Sequence, residues 1–157
     1  MEDEPATYDD PRWPELPALT PEAVAELETF ARHFQGAGGN LYEEPSQLAR
    51  DAVSAGWFPP PPPTPRDALA RFLKRIYALE IMSDFPWPDW LKTIPERWRD
   101  DPAALDDIGD ATTLRRLLIA HVRGDRFCDG HLWSIVQSGY LGKLVERLAE
   151  TARRELG

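Results

Sequence analysis

The side chains able to do chemistry in this sequence are few and lie close together. Cys128, Asp129, Gly130 and His131 form one run, and His121 stands seven residues before the cysteine. A cysteine at the start of a helix gains thiolate character from the helix dipole. His131, one turn further on, completes the minimum for a Cys–His nucleophile pair. An enzyme using Cys128 and His131 is therefore one reading. Against it, no motif marks an oxyanion hole, and a lone buried cysteine behaves as a small hydrophobe. Metal ligation has less support. Cys128, His131, His121 and a carboxylate would number four ligands, but the paired Cys-x-x-Cys or His-x-x-x-His spacing of zinc sites is absent. The glycine-rich residues 36–40 lack the preceding strand and the following Gly-Lys-Ser/Thr of a phosphate loop, and no nucleophile elbow or dinucleotide fingerprint occurs. The pairs Asp100/Asp101 and Asp106/Asp107 read as helix caps and solvated faces. No metal or cofactor is expected, and a non-enzymatic role is the expectation.

The elements that must position these groups fall within residues 110–156, which read as three amphipathic helices punctuated by Gly124 and Gly139. Leu114, Leu117, Leu118 and Val122 recur at the spacing of one helical face. Leu132, Ile135 and Val136 repeat the stripe, as do Leu141, Leu144, Val145 and Leu148. None of these faces is buried alone, so they must pack on one another or on helices from upstream. Gly124 is expected to end the first helix, Asp129 to cap the second, and Gly130 to let a neighbouring helix come close.

Upstream, Thr20 as N-cap and Pro21 at the first helical position open a helix over 21–35, with Glu22 and Glu26 complementing its positive end. A short helix over 46–55 is expected to turn Leu48, Ala52 and Val53 inward. Thr64 and Pro65 repeat the cap-plus-proline start and predict a helix over 65–82, with Arg66, Arg71, Lys74 and Arg75 on its outer side. Between these two, the five prolines at 59–63 form a polyproline II rod of ~15 Å, read as a spacer (59–65) rather than as a ligand for an aromatic groove. Residues 84–100 are irregular and aromatic. Phe85, Trp87, Trp90 and Trp98 there are either a core plug or the anchors of a binding surface, with Trp87 and Trp90 the candidates. A last short helix covers 102–108. No segment alternates with period two for long enough to be a strand. The predicted fold is all-α: a compact bundle of about seven short helices forming a single domain over 20–157, preceded by an extended acidic arm over 1–19.

Composition narrows the partners. The chain has 157 residues and one cysteine, with 42% hydrophobic and 29% charged residues, which suits one soluble domain in a reducing cytoplasm. No apolar run approaches the ~20 residues of a membrane span, and the acidic N-terminus is not a secretory signal. The formal charge is −9, and its placement is uneven: residues 1–64 hold 12 acidic and 3 basic side chains, whereas residues 65–157 hold 15 of each. Such a field disfavours direct binding to nucleic acid and favours a basic protein surface.

A set of residues also resembles a known family. Phe85-Pro86-Trp87-Pro88-Asp89-Trp90, then Thr113-Leu114 with Leu117-Leu118, then Arg126-Phe127-Cys128-Asp129-Gly130-His131-Leu132, and finally Ser138-Gly139 with Leu144 and Leu148 resemble a family of small bacterial proteins known only as a domain of unknown function. The likeness covers roughly residues 42–150 and leaves out the acidic arm. It implies an all-helical fold and no activity.

The functional expectation is a non-enzymatic acidic module that binds a basic partner through Glu22, Glu26, Glu43 and Glu44, with Trp87 and Trp90 as anchors. Its concrete form is a phage- or mobile-element-encoded inhibitor, an acidic mimic of nucleic acid that covers the nucleic-acid-binding groove of a bacterial defence complex in the manner of an anti-CRISPR protein. The alternatives are the Cys128/His131 enzyme and a structural or adaptor domain without inhibitory role. No membrane partner is expected, and the oligomeric state is left open.

Overall fold

Thr20 opens the first helix as its type requires. Its hydroxyl accepts the Ala23 amide at 3.1 Å, and α1 runs Pro21–Gly36. In this computed structural model the described residues are 7–36, 41–43, 47–56, 64–125 and 130–157. The remaining helices are α2 (Gln47–Ser54), α3 (Asp67–Ala78), α4 (Trp87–Leu91), α5 (Ala111–Gly124), α6 (His131–Gln137) and α7 (Tyr140–Leu156), with 3-10 turns at Glu96–Arg99 and Pro102–Asp107. The fold is all-α. Its one other regular feature among the described residues is a two-residue antiparallel pair, β1 (Tyr42–Glu43) with β2 (Thr64–Pro65).

That pair corrects the expected start of α3. Thr64 and Pro65 do not open the helix. The Arg66 amide is donated to Leu41 O at 2.8 Å, and the helix begins at Asp67 without a side-chain cap. A residue before proline is pushed toward extended backbone, so Thr64 joins a strand pair more readily than a helix turn. The far end of α3 also falls short of residue 82. Glu80 takes a left-handed conformation, φ 58, and the amides of Ile81 and Met82 turn back to Ile76 O.

The long α7 is the hub, packing on α1, α5, α6 and the second 3-10 turn. Its own Leu141, Leu144, Val145 and Leu148 are all fully buried. Phe30, Phe34 and Phe72 join α1 to α3 edge-to-face and tilted, with centroids 5.1–6.1 Å apart. Two ion pairs bind α1 to its neighbours: Glu26 takes both Arg75 donors, and Glu28 both Arg153 donors. Gly139 and Gly130 precede α7 and α6 at φ 83 and 80. A Cβ at Gly130 would meet nothing within 4 Å. That glycine is therefore there for its backbone angle and not, as the sequence suggested, for close approach of a helix. Leu48 is a second correction. It is 81% exposed, so α2 does not turn it inward.

The helix α5 departs most from a one-faced amphipathic helix. Its buried residues run continuously through Thr113, Leu114, Arg115, Arg116 and on to His121. Residues 7–19 lie as a strap on the core through Tyr8, Trp13, Leu16 and Leu19, with residues 16–19 beside the start of α5 and the end of α7. Turns within the strap pair the carbonyls of Thr7 and Asp10, but a segment without helix or strand leaves others without main-chain partners, and buried carbonyls must find donors. Three side chains supply them. Arg116 donates to Tyr8 O and Pro14 O, Arg115 donates to Pro17 O, and the Trp90 indole donates to Tyr8 O at 2.9 Å. Arg115 also holds Ile81 O and Glu80 O, each at 2.8 Å. The left-handed turn after α3 is thus fixed by the same guanidinium that fixes the strap.

Candidate functional site

His121, late in α5, and His131, the first residue of α6, come together at the join of these helices. His121 Nδ1 and His131 Nε2 are 2.8 Å apart. The rings are 15° from parallel with centroids 5.0 Å apart, the geometry of two near-coplanar imidazoles sharing one hydrogen between facing nitrogens. In that arrangement no ion fits between them, because zinc needs ~2.0–2.1 Å to each nitrogen. Among the described residues no group of three or more His, Cys, Asp or Glu could hold a metal.

His121 is 5% exposed, and Tyr140 meets it edge-on at 4.9 Å. Its Nε2 is buried without a hydrogen-bond partner of normal geometry, although the Arg99 main chain lies near enough to favour the charged ring slightly. Burial first, then the neighbouring His131 and Arg99, push the His121 pKa down to about 3. Burial likewise pushes the Tyr140 phenol up, with help from Asp100, and its hydroxyl donates to Trp98 O.

The depressed histidine has a consequence for stability. Above pH 6.5, the ordinary value, the ring is neutral whether folded or unfolded and contributes nothing to the pH dependence. Below it the unfolded chain takes up a proton that the folded chain refuses, so stability falls by about 1.4 kcal/mol per pH unit toward the folded value. Urea midpoints at pH 7 and pH 5 should therefore fall more steeply for the parent than for His121→Gln. Equal slopes would show that His121 is not held neutral.

Beside the histidine pair opens a cleft of about 420 Å³. Trp87 and Leu91 of α4, Ala120 and Gly124 of α5, and Ile135 of α6 give it apolar walls. Arg99, Asp100, His131 and Ser134 give it polar ones. The Arg99 Nη2 donates to Leu91 O, while its Nε is buried without a partner. Of the His131 ring nitrogens, Nε2 is the one engaged by His121.

The residues expected to carry function are dispersed. Glu22 is exposed on the first turn of α1. Glu26 is taken by Arg75, whose hydrogen bonds hold its carboxyl below the usual range, so it faces inward to α3 rather than outward to a partner. Trp90 is 0% exposed and gives its indole donor to the strap. Burial of so large a ring removes it from any binding surface and makes it core. Trp87 is half-buried at the cleft. The backbone of Glu43 pairs in β1. Glu44, Cys128, Asp129, Arg126 and the prolines at 59–63 lie outside the described residues. The α6 cap that is described comes from Asp125, whose carboxylate accepts the Leu132 amide at 2.8 Å.

Sequence reasoning missed Arg99, Arg115, Arg116 and Tyr140. Only the Leu-Arg-Arg-Leu-Leu run, two cations inside an apolar stripe, carried a signal for any of them. No described helix is long and apolar enough to cross a membrane. A family model described as "Family of unknown function (DUF6508)" matches residues 19–154, a span that takes in α1 and begins upstream of the likeness seen in sequence. No curated protein and no solved structure matches the chain.

Proposed function

We propose that this chain, which belongs to the DUF6508 family of unknown function, is a non-enzymatic binding protein that presents an acidic strap to a basic protein surface. The observation that carries this reading is the anchoring of the strap. A tail that serves only solubility needs no fixed place, yet here Arg115 and Arg116 are committed, 3% and 7% exposed, to holding the carbonyls of residues 8, 14 and 17. Burying a guanidinium is costly: burial lowers the Arg115 pKa to about 10, and it lowers that of Arg116 as well, with only Asp110 opposing. What the two arginines hold in place is acidic. Asp9, Glu15 and Glu22 stand exposed on the strap and the start of α1 and make no ion pair among the described residues. Fixed carboxylates steer a basic partner and set its register. The charge excess before Pro65 is moderated by two cations from later in the chain, Arg75 on Glu26 and Arg153 on Glu28. The recognition edge accordingly moves from α1 to the strap and the first turn. An inhibitor that covers the nucleic-acid-binding groove of a defence complex is the special case in which the partner's basic surface is one that nucleic acid also occupies.

The test is capture from a bacterial lysate on the immobilised chain at low and at high salt. The expected result is a stoichiometric basic protein retained at low salt and released at high salt. Retention of nothing at low salt, or of a partner indifferent to salt, would count against the reading.

A further inference from the structure

The end of the strap meets the core at a groove that the display of acidic side chains does not explain. Leu16 and Leu19 of the strap, Ala111 at the start of α5, and Ala152 and Leu156 near the end of α7 line it. Both sides are fixed. Arg115, also in the lining, donates to Pro17 O of the strap, and Glu155 Oε2 accepts the Ala111 amide at 3.0 Å, which ties the end of α7 to α5. At about 230 Å³ the groove is smaller than the ~300–1,000 Å³ of small-molecule sites, and it suits one large apolar side chain instead. Leu156 stands 44% exposed here. An exposed leucine alone signifies little, but one bordering a fixed apolar groove provides what an interface anchor needs.

The charge around the groove indicates what occupies it. Glu155 is in the lining and Glu15 precedes Leu16 in the chain; both are exposed and without an ion pair among the described residues. Asp110 adjoins Ala111, its charge met in part by Arg116. The nearby cations are engaged. Arg115 is buried with its guanidinium on three carbonyls, Arg153 is paired with Glu28, and Arg154 donates to the Thr151 hydroxyl.

We propose that the basic partner of the strap inserts one apolar side chain, a leucine, methionine or phenylalanine, into this groove. The lysines or arginines that flank it meet Glu15 and Glu155. The inference rests on the reading of the chain as a binder of a basic surface and adds the anchor to it. Carboxylates govern the encounter, and the buried apolar side chain governs the lifetime of the complex.

The probes are three capped peptides titrated into the full chain by calorimetry: Lys-Ala-Lys-Leu-Lys-Ala-Lys, the same with serine for leucine, and the same with glutamate for every lysine. The leucine peptide is expected to bind saturably at low salt, at least ~tenfold tighter than the serine peptide, a margin of one unit in log affinity, and the glutamate peptide is expected not to bind. Added salt should weaken both lysine peptides and leave the margin, because apolar burial is not screened. Leu156→Ser removes the exposed apolar border, and Thr112→Trp, at an exposed position of the lining, fills the groove; each is expected to erase the margin. Leu48→Ser, at an exposed leucine on α2, is expected to keep it. Equal affinity of the leucine and serine peptides with a common salt dependence would overturn the groove and leave the strap reading standing. A leucine margin in peptides indifferent to salt would overturn the strap reading, and the basic flanks with it. No saturable binding of the leucine peptide, or a margin that survives both Leu156→Ser and Thr112→Trp, would also overturn the proposal.

Discussion

Arg115→Met is expected to cost the fold about 3–5 kcal/mol, the scale of leaving the partners of a buried charge uncompensated. Methionine replaces much of the volume but none of the donors. The carbonyls of Pro17, Glu80 and Ile81, all now bonded to Arg115, would lose their protein donor together. The strap would lose its last anchor before α1, and the left-handed turn at Glu80 its external support. Arg115→Lys should recover only part of the loss, since one ammonium cannot reproduce the planar fork that spans three carbonyls. Urea denaturation gives the stability, and limited proteolysis within residues 7–19 reports the strap. A loss below about 1 kcal/mol, with the strap still protected, would show that Arg115 does not anchor it.

Leu144→Ala and Leu118→Ala are each expected to cost about 2–5 kcal/mol. Both residues are fully buried, Leu144 on the hub helix and Leu118 on α5, where α5 and α7 pack together. Truncation leaves a hole in an interior packed as densely as an organic crystal, and the neighbours relax only in part. The mutations leave charge untouched, so a change in melting temperature is a packing effect. Should either variant melt within a degree or two of the parent, the interface of α5 with α7 is not where the stability lies.

These two kinds of position differ in how they are encoded. Leu118 and Leu144 are visible from spacing alone, because a helix face repeats every three to four residues and burial follows the repeat. The caps at Thr20 and Asp110 are equally local, each a short side chain that accepts an amide three residues on. Arg115 could not be read the same way. Its partners lie 98, 35 and 34 residues away, and nothing in the Leu-Arg-Arg-Leu-Leu run says that a strap without regular structure will lie over it. The cleft is non-local too. Trp87, Arg99, His121 and His131 come from four elements, and the histidine contact depends on how α6 departs from α5. Leu48 marks the opposite error. Its apolar type sits at a helical spacing that promises burial, but α2 is short and its leucine stays in solvent. The aromatic run at 84–98 was ambiguous between core and surface, and Trp90 resolves to core because the strap supplies an acceptor for its indole.

We propose that the carboxylates fixed on the strap and at the start of α1 form the recognition edge. Its most direct test is the association rate of the captured partner with two matched variants. One carries Asp9→Asn, Glu15→Gln and Glu22→Gln; the other carries Asp51→Asn, Asp67→Asn and Glu96→Gln, three exposed carboxylates elsewhere. Steering acts on encounter, so the strap variant should associate ~tenfold more slowly at low salt with little change in dissociation, while the control stays close to the parent. Equal slowing in both variants would mean that only total charge matters, and an unchanged rate in the strap variant would place the partner elsewhere on the molecule.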